Sequence, residues 1–491
     1  MICNWFLEGN LKNKLVSFRN NTTAILLSSV LVLHIIGLLY TSDFNYAFKD
    51  IRIKLPLLVL PLVISTSKPL SQKITDSILK VFVAAVICGS FISIFILTGL
   101  VHRPVIDTRS ISIFISHIRF SLLICVAICV SLNYIFRPPN AVARVFWCAI
   151  AVWLFSFLII MESLTGLTAL LIVALILTLY TITRSKKKII KYGGLVFILS
   201  LVAGIAWYIK SIASENDKKE VLRDIKLEMY TSRGNEYEHD RESSLTENGH
   251  LIWVNYCRKE LEEAWNRRST IKFNEKDLNG NLLEFTLVRF LASKGLKKDG
   301  DAVISLTKDE IMVIERGVTN VNYQNVSSLR GRIYETLWEI EVYKTTGNAN
   351  GHSLTQRFEY WRAAWGIIKA NPLIGIGTGD VPKAFEGEYI KNNSSLSQQW
   401  RLRAHNQYLS IAVAFGIIGL LLFLTSLIYP LLDKNNRYNF LYFTFFIIAV
   451  VSFFTEDTLE TQAGVTFYAF LNTFLLFAEE KKKLSEGEGR G

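Results

Sequence analysis

Apolar and polar sequence alternate in a way that divides the chain into three regions. Residues 23–210 and 407–478 consist mainly of apolar runs, whereas the residues between them are polar. A helix that spans a bilayer needs about 20 mostly apolar residues. The runs of that length predict about ten spans, at about 23–41, 48–66, 78–100, 112–135, 143–161, 164–183, 189–209, 407–431, 437–455 and 461–478. We therefore predict an all-α polytopic membrane protein.

The second of these spans is the least regular. Its apolar run begins only at Leu55 and contains Pro56 and Pro61. Neighbouring helices in a membrane can satisfy the backbone groups that a proline frees, so a full span remains allowed. A re-entrant segment is the alternative.

The basic residues favour one orientation of these spans. With a cytoplasmic N-terminus, most lysines and arginines of the short loops fall on the cytoplasmic side, including the run at 186–188. Both termini are then cytoplasmic, and residues 210–405 lie outside the cytoplasm. At 51% hydrophobic and 20% charged residues, the composition leans only mildly towards a membrane protein. Much of the net charge of +12 is a topology signal, so nucleic-acid binding is not expected.

These boundaries predict four parts. Residues 1–209 form a membrane bundle of about seven helices, and residues 210–405 form one large, mainly helical external domain. Residues 406–478 contain the last three spans, and residues 479–491 form a cytoplasmic tail. No small-residue cleavage site follows the first span, so we expect a retained anchor. The external domain has one of the six cysteines, Cys257, and no Cys/His cluster has zinc spacing, so no metal site or cofactor is expected.

The end of the external domain has the clearest local pattern. Helical spacing of apolar residues predicts helices over 332–346 and 355–370, and Asn371-Pro372 ends the second one. A glycine-rich turn follows at 375–379. It lacks the strand–turn–helix context of a dinucleotide fingerprint, so we interpret it as a tight connection that lets the backbone approach other elements.

Four basic side chains lie close to the predicted membrane boundary, and they are Arg357, Arg401, Arg403 and His405. Anchoring to lipid headgroups is one interpretation. The other is a site for a lipid-linked diphosphate, because the guanidinium fork binds phosphate oxygens in pairs and stays charged. A histidine in the same place can act as a base near neutral pH.

Other ionisable residues in or near the spans have two interpretations each. Arg119 lies just inside the fourth span with His117, either as a functional group of the membrane interior or snorkelling to the interface. His34, in the first span, is expected to be buried by packing or hydrogen bonding. Glu456, Asp457 and Glu460 occupy an external turn, where they are general acid/base candidates or, as we expect, a solvated acidic turn.

Several motifs in a fixed order resemble the O-antigen ligase and O-antigen polymerase superfamily. They are QRFEYW (356–361), NPLIGIGTG (371–379), RAHNQYL (403–409) and GIIGL (416–420), with KLPLL (54–58) and HIRFSL (117–122) similar to a subgroup. The number of spans and the position of the large loop also resemble that family, although the insert at roughly 220–345 looks longer than in its commonest members.

The resemblance implies an inverting, metal-independent glycosyltransferase of the bacterial inner membrane, with the large loop in the periplasm. Its donor is an undecaprenyl-diphosphate-linked glycan, and its acceptor is a hydroxyl group. We expect a ligase that transfers to a lipid A-core sugar; a polymerase and a protein O-oligosaccharyltransferase are the alternatives.

The resemblance also implies roles for individual residues. The family's catalytic histidine maps onto His405 and its loop arginine onto Arg357. A second, upstream arginine maps onto Arg332, with Arg330 and Arg233 as alternatives. Further binding residues for the diphosphate and glycan are expected at Arg403, Arg401, Arg119, Asn406 and Trp361.

Functions of other classes fit the sequence less well. A transporter of the same lipid-linked glycan is expected to show internal repeats and charges deep in several spans, and the sequence has neither. A metal-dependent glycosyltransferase needs a carboxylate pair in the first external loop. Asp43 and Asp50 lie there, but no supporting motif surrounds them.

Overall fold

The computed structural model describes residues 2–101, 108–137, 140–214, 220, 222, 225–323 and 329–479. The chain is mostly helical, at 72%, and has few strands. Ten helices form the first part: α1 (Ile2–Leu7), α2 (Leu11–Asn20), α3 (Thr22–Ile36), α4 (Phe44–Lys54), α5 (Pro56–Thr66), α6 (Gln72–Leu97), α7 (His117–Phe136), α8 (Ala141–Ile160), α9 (Leu164–Arg184) and α10 (Lys188–Ala213).

The polar middle of the chain is also built mainly from helices. A short antiparallel hairpin of β1 (Thr246–Glu247) and β2 (His250–Leu251) precedes them. The helices are α11 (Arg258–Arg268), α12 (Leu283–Ser293), α13 (Gly300–Ser305), α14 (Lys308–Glu315), α15 (Leu329–Thr346), α16 (Ser353–Ala370) and α17 (Val381–Lys391). The C-terminal part contains α18 (Gln407–Ile428), α19 (Lys434–Tyr438), α20 (Phe440–Thr455) and α21 (Gln462–Phe477).

Seven helical segments within the described residues are long and apolar enough to cross a membrane, which confirms the polytopic prediction at that level. They are Thr22–Tyr40, Gln72–Leu97, His117–Phe136, Ala141–Ile160, Leu164–Arg184, Lys188–Ala213 and Gln407–Leu432. The predicted spans at 437–455 and 461–478 correspond to the shorter apolar helices α20 and α21. The count of ten spans and the periplasmic side of the large loop stay predictions. Residues 480–491 of the predicted tail lie outside the described residues.

The segment predicted as the second span, 48–66, contains two helices, α4 and α5, which meet at Leu55. Whether it crosses the membrane fully stays a prediction. Pro56 has no N–H to donate to the carbonyl of Arg52, and proline is well suited to the first position of a new helix. The sequence of α4 is also too polar for a membrane interior, and two of its charged residues, Asp50 and Lys54, are buried against other parts of the protein.

Two large, separate cores and one small cluster of Leu27, Tyr442 and Leu476 hold the described residues together. The larger core contains the buried faces of most membrane helices and also Tyr360 and Phe385 from α16 and α17. The smaller core packs α11 to α14 around Trp265, Phe290 and Leu291. The polar middle of the chain is therefore divided: residues 252–314 have their own core, whereas α16 and α17 pack in the same core as the membrane helices.

The glycine-rich turn fits into a break in α18. Gly416 has φ +62°, which interrupts the helix and frees backbone groups on both sides. The turn satisfies them: Ile376 and Gly377 donate to the carbonyls of Val413 and Ala414, and Ile417 donates to the carbonyl of Pro372. Broken helices are tolerated at membrane depth when other protein groups complete the hydrogen bonding. The interpretation as a tight backbone approach is confirmed.

We expect Gly416→Ala and Gly375→Ala each to destabilise the protein by at least about 2 kcal/mol, because a non-glycine residue at positive φ is strained by about 1–2 kcal/mol before any clash. A Cβ on Gly416 would also meet the backbone of Leu373, and one on Gly375 the backbone of Ala414. Unfolding in detergent measures the loss. The control is Gly387→Ala in α17, where a Cβ meets nothing within 4 Å; equal stability of all three variants would contradict this account.

Candidate functional site

The site is built on the N-terminus of α18, where His405 and Asn406 precede the helix. Asn406 caps α18, since its side chain accepts a hydrogen bond from the backbone N–H of Leu409. Asp457 holds the same end from outside: it accepts from the backbone N–H of His405 (3.1 Å) and Asn406 (2.7 Å) and from the hydroxyl of Ser410 (2.9 Å). A carboxylate at a helix N-terminus also complements the helix dipole. This clamp fixes His405 in a left-handed conformation, with φ +46°.

Glu456 connects His405 to α16 through an ion pair with Arg357. Its carboxylate lies 3.3 Å from Nδ1 of His405 and accepts from Nη2 of Arg357 at 3.0 Å. Because an ionised carboxylate only accepts, the Nδ1 atom carries the proton in this contact. The lone pair of the neutral imidazole is then on Nε2. Glu456 thereby selects the tautomer in which Nε2 of His405 can accept a proton.

Glu460 forms the third part of the same turn. It accepts from Nζ of Lys54 (2.8 Å), Nη1 of Arg403 (2.9 Å) and Nε2 of Gln407 (3.2 Å). Lys54 is fully buried and also pairs with Asp50. A buried charge is costly unless it is paired and hydrogen bonded, and every member of this network is.

The expectation of a solvated acidic turn is wrong. Glu456 and Asp457 are 9% and 5% exposed, and the side chain of Glu460 is 10% exposed. The turn is folded inward because three cationic partners, Arg357, Lys54 and Arg403, come from distant parts of the chain. The expectation that His34 is buried is confirmed: its Nδ1 lies 2.7 Å from the carbonyl of Val30.

The electrostatics of the turn follow from this pairing. Burial raises the pKa of Glu456, but the hydrogen bond from His405 and the charge of Arg357 outweigh it and hold the pKa below its ordinary value. Burial raises the pKa of Glu460 as well, and the charges of Lys54 and Arg403 reverse that effect. For Asp457, burial prevails and its pKa is raised despite the charge of Arg403.

A cavity of about 490 Å³ opens beside this turn. Five basic side chains line it. Four of them are predicted site residues, namely Arg119, Arg401, Arg403 and His405, and the fifth is Lys49. The acidic wall is the turn just described. Lys49 is not among the predicted site residues, and nothing in the local sequence pattern indicates that α4 brings it to the cavity that His405 lines.

Aromatic residues position the loop that leads to His405. Nε1 of Trp361 donates to the carbonyl of Ala404 at 3.0 Å, and the hydroxyl of Tyr389 donates to the carbonyl of Leu402 at 2.6 Å. The ring of Tyr360 stacks on the imidazole of His405, with centroids 5.5 Å apart. In this structure Trp361 therefore supports the loop from α16, and Asn406 caps α18 rather than lining the cavity.

The predicted arginines occupy different positions around the cavity. Arg401 pairs with Glu386 at 2.7 Å. Arg357 and Arg332 meet at Ser353: Arg357 donates to its carbonyl and Arg332 to its hydroxyl, both at 3.2 Å. Arg332 is thus close to Arg357 but is not part of the cavity wall.

The alternatives for the second arginine differ in location. Arg233 pairs with Asp301 beside the smaller core, where its Nη2 lies 2.8 Å from the carboxylate. Arg330 lies in α15, two residues before Arg332. Of these, Arg332 has a demonstrated contact with the residue that also holds Arg357.

Two guanidiniums at the site have unused donors. Among the described residues, no acceptor lies within hydrogen-bonding distance of the buried Nε atoms of Arg119 and Arg357. Both side chains are near Glu456. Free, buried N–H groups next to a basic cavity are the donors that an anionic ligand requires.

Residues 302–424 match the family model described as O-antigen ligase. The matched segment runs from α13 into α18 and contains Arg332, Arg357, Arg403 and His405. The acidic turn and Lys54 lie outside it. No curated protein matches the chain.

Proposed function

We propose that this chain is a multi-pass glycosyltransferase of the bacterial inner membrane, a proposal that the match of residues 302–424 to the O-antigen ligase model supports. It transfers a glycan from an undecaprenyl-diphosphate carrier to a hydroxyl of a lipid A-core sugar at the periplasmic face. The observation that supports this reaction best is His405, held by Glu456, at the edge of a cavity lined by arginines.

In the proposed reaction, His405 activates the acceptor. Its Nε2 atom takes the proton of the acceptor hydroxyl, whose oxygen forms a bond to the anomeric carbon of the donor sugar. The bond between that carbon and the diphosphate oxygen breaks in the same displacement, so the configuration inverts. Glu456 stabilises the imidazolium that forms, a role that its low pKa supports because it is ionised when the proton arrives.

The arginines stabilise the leaving group. The departing diphosphate gains negative charge, and preorganised cations are most effective where charge develops in the transition state. Arg403 and Arg401 lie in the cavity wall, and Arg119 lies at the start of the membrane helix α7. We assign Arg119 to the lipid-linked side of the diphosphate. Arg357, with Arg332 behind it, acts from the opposite side of Glu456. No step requires a metal ion, so transfer should continue in the presence of a chelator.

Replacing Arg357 with lysine is expected to lower transfer by about 10–100-fold, the equivalent of one lost charged hydrogen bond. A lysine keeps the charge, but it lacks the fork that can hold both Glu456 and a phosphate oxygen. Transfer of a lipid-linked glycan by purified protein measures the effect. The matched control is Arg362→Lys on the exposed face of the same helix; an equal loss in both variants, or none in either, would remove Arg357 from the mechanism.

The envelope glycans of a deletion strain test the proposed function. Lipid-linked polymer that accumulates beside undecorated lipid A-core, and disappears on complementation, supports the ligase. Lipid A-core bearing a single repeat unit would indicate a polymerase instead. Unchanged lipopolysaccharide with lost protein glycosylation would indicate a protein O-oligosaccharyltransferase. If no glycan changes, the transferase proposal is wrong.

A further inference from the structure

A second large cavity lies between the α9–α10 hairpin and α20. Its volume is about 720 Å³, and its walls are mainly apolar, with Leu177, Ile182, Ile190, Phe440 and Phe443 among them. We call it the hairpin groove. All of these residues belong to apolar helices or lie next to them, so the groove opens within or at the edge of the membrane region. Such a shape is suited to an extended hydrocarbon chain.

The hairpin groove lies at the end of the bundle opposite His405. Phe136 at the C-terminus of α7 lines the groove, whereas Arg119 at the start of α7 lines the His405 cavity. Similarly, α20 begins at the groove with Phe440 and ends just before Glu456. At 1.5 Å per residue, a 16-residue helix is about 24 Å long. A ligand in the groove is therefore separate from the donor and acceptor of the transfer reaction.

Two arginines lie together at the groove. Nη2 of Arg184 donates to the hydroxyl of Tyr438 at 2.7 Å, and its guanidinium packs over the rings of Tyr180 and Tyr438. The guanidinium of Arg437 lies 5.4 Å from the centroid of the same Tyr438 ring. Both side chains thus contact tyrosines, Tyr180 and Tyr438.

The positive charge at this tyrosine favours an anionic ligand. Arg184 and Arg437 both contact Tyr438, so an anion beside that ring interacts with both charges. A phosphate group fits best, because guanidinium forks bind its oxygens in pairs. We propose that the hairpin groove binds one anionic glycerophospholipid, with its phosphate at Arg184 and Arg437 and an acyl chain along the apolar wall.

The chain offers a matched pair of variants that tests the apolar part. Gly193 lines the groove, and a Cβ there meets nothing within 4 Å, so the larger side chain of Gly193→Leu is expected to occupy groove space. Gly204 is in the same helix, is equally open, and is not part of the groove wall. Gly204→Leu is therefore the control. Both replacements remove a glycine from a helix interior, so neither is expected to unfold α10.

Native mass spectrometry of the full chain, purified from bilayers of phosphatidylglycerol and phosphatidylcholine, measures the lipid retained. We expect the wild type to retain phosphatidylglycerol in preference to phosphatidylcholine. The double variant Arg184→Gln/Arg437→Gln should lower that preference about 10–30-fold, since each basic residue near an anionic headgroup contributes about 1 kcal/mol. Gly193→Leu should abolish retention of the lipid, and Gly204→Leu should not change it.

Three results would overturn the proposal. They are equal retention of both lipids by the wild type, equal effects of the two glycine variants, and an equal loss of preference in Lys186→Gln/Lys187→Gln. The last variant removes the same amount of charge from the loop that follows Arg184 without changing the groove wall, so an equal loss would indicate only general attraction to an acidic membrane. If the double arginine variant fails to fold, the two glycine variants still decide the outcome.

Discussion

His405→Ala is expected to lower glycan transfer about 10²–10⁴-fold, the usual contribution of a positioned general base, while the protein still inserts and folds. The imidazole is half-buried at the cavity wall, with Nδ1 directed to Glu456 and Nε2 left to accept a proton. The backbone of residue 405 donates to Asp457, and that hydrogen bond does not depend on the side chain. A transfer assay with purified protein, a lipid-linked glycan and a core-sugar acceptor measures the loss.

The control for this prediction is His250→Ala. His250 is a partly exposed histidine of the hairpin, paired with Glu220 and remote from the cavity. It should transfer at the wild-type rate. Glu456→Gln should also be impaired, because the amide no longer stabilises the imidazolium or pairs with Arg357. If His405→Ala kept near-normal activity at equal expression, the base would have to be another group, and the proposed mechanism would be wrong.

The membrane helices could be predicted closely from sequence. The predicted spans at 164–183 and 143–161 differ from α9 and α8 by no more than two residues at either end. Their signal is strong because every backbone group in a bilayer interior must be satisfied within the helix, which leaves few alternatives for a long apolar run. This logic is weaker for the segment 48–66, where a full span and a re-entrant segment were both allowed, because its first half is polar and buries Asp50 and Lys54 within the protein.

The site was predictable only in part, because its basic residues and its acidic turn come from distant parts of the sequence and meet only in the folded protein. The motif around His405, together with Arg357 of α16, indicated a basic site, and Arg119 from α7 lines the same cavity as His405. The acidic turn gave no such signal. Three carboxylates in five residues are typical of a solvated turn, and only the packing of α21 against α5 and α4 brings Lys54 to Glu460.

The contact partner of the glycine-rich turn could not be predicted from the sequence either. The sequence of the turn indicated a close backbone approach but not to which element. The partner is the break in α18, which the sequence signals only by Gly416 within a long apolar run. The turn then continues to Asp380, which accepts from the backbone N–H groups of Ser42 and Asp43 at the start of α4. It thereby joins α18 to the segment that carries Lys49 and Lys54.

Lys54 joins α4 to the acidic turn through two buried ion pairs. Its side chain is fully buried between Asp50 and Glu460, and Glu460 in turn pairs with Arg403 in the cavity wall. Removing one partner of a buried ion pair leaves an uncompensated charge, which usually costs about 3–5 kcal/mol. Removing both partners and filling the space with apolar side chains is often close to neutral. Single and double substitutions in this network can therefore distinguish the effect of an unpaired charge from the effect of altered packing.

We expect Lys54→Met to lower the free energy of unfolding by about 3–5 kcal/mol, and Lys54→Met/Asp50→Leu to regain at least half of that loss. The double variant removes the stranded Asp50 charge, while Glu460 keeps its ion pair with Arg403. Chemical unfolding in lipid bicelles measures both. Arg52→Met, an exposed charge on the same helix, should change stability by no more than about 0.5 kcal/mol. Additive losses in the double variant would contradict this account, because a stranded charge is the only reason for the second substitution to restore stability.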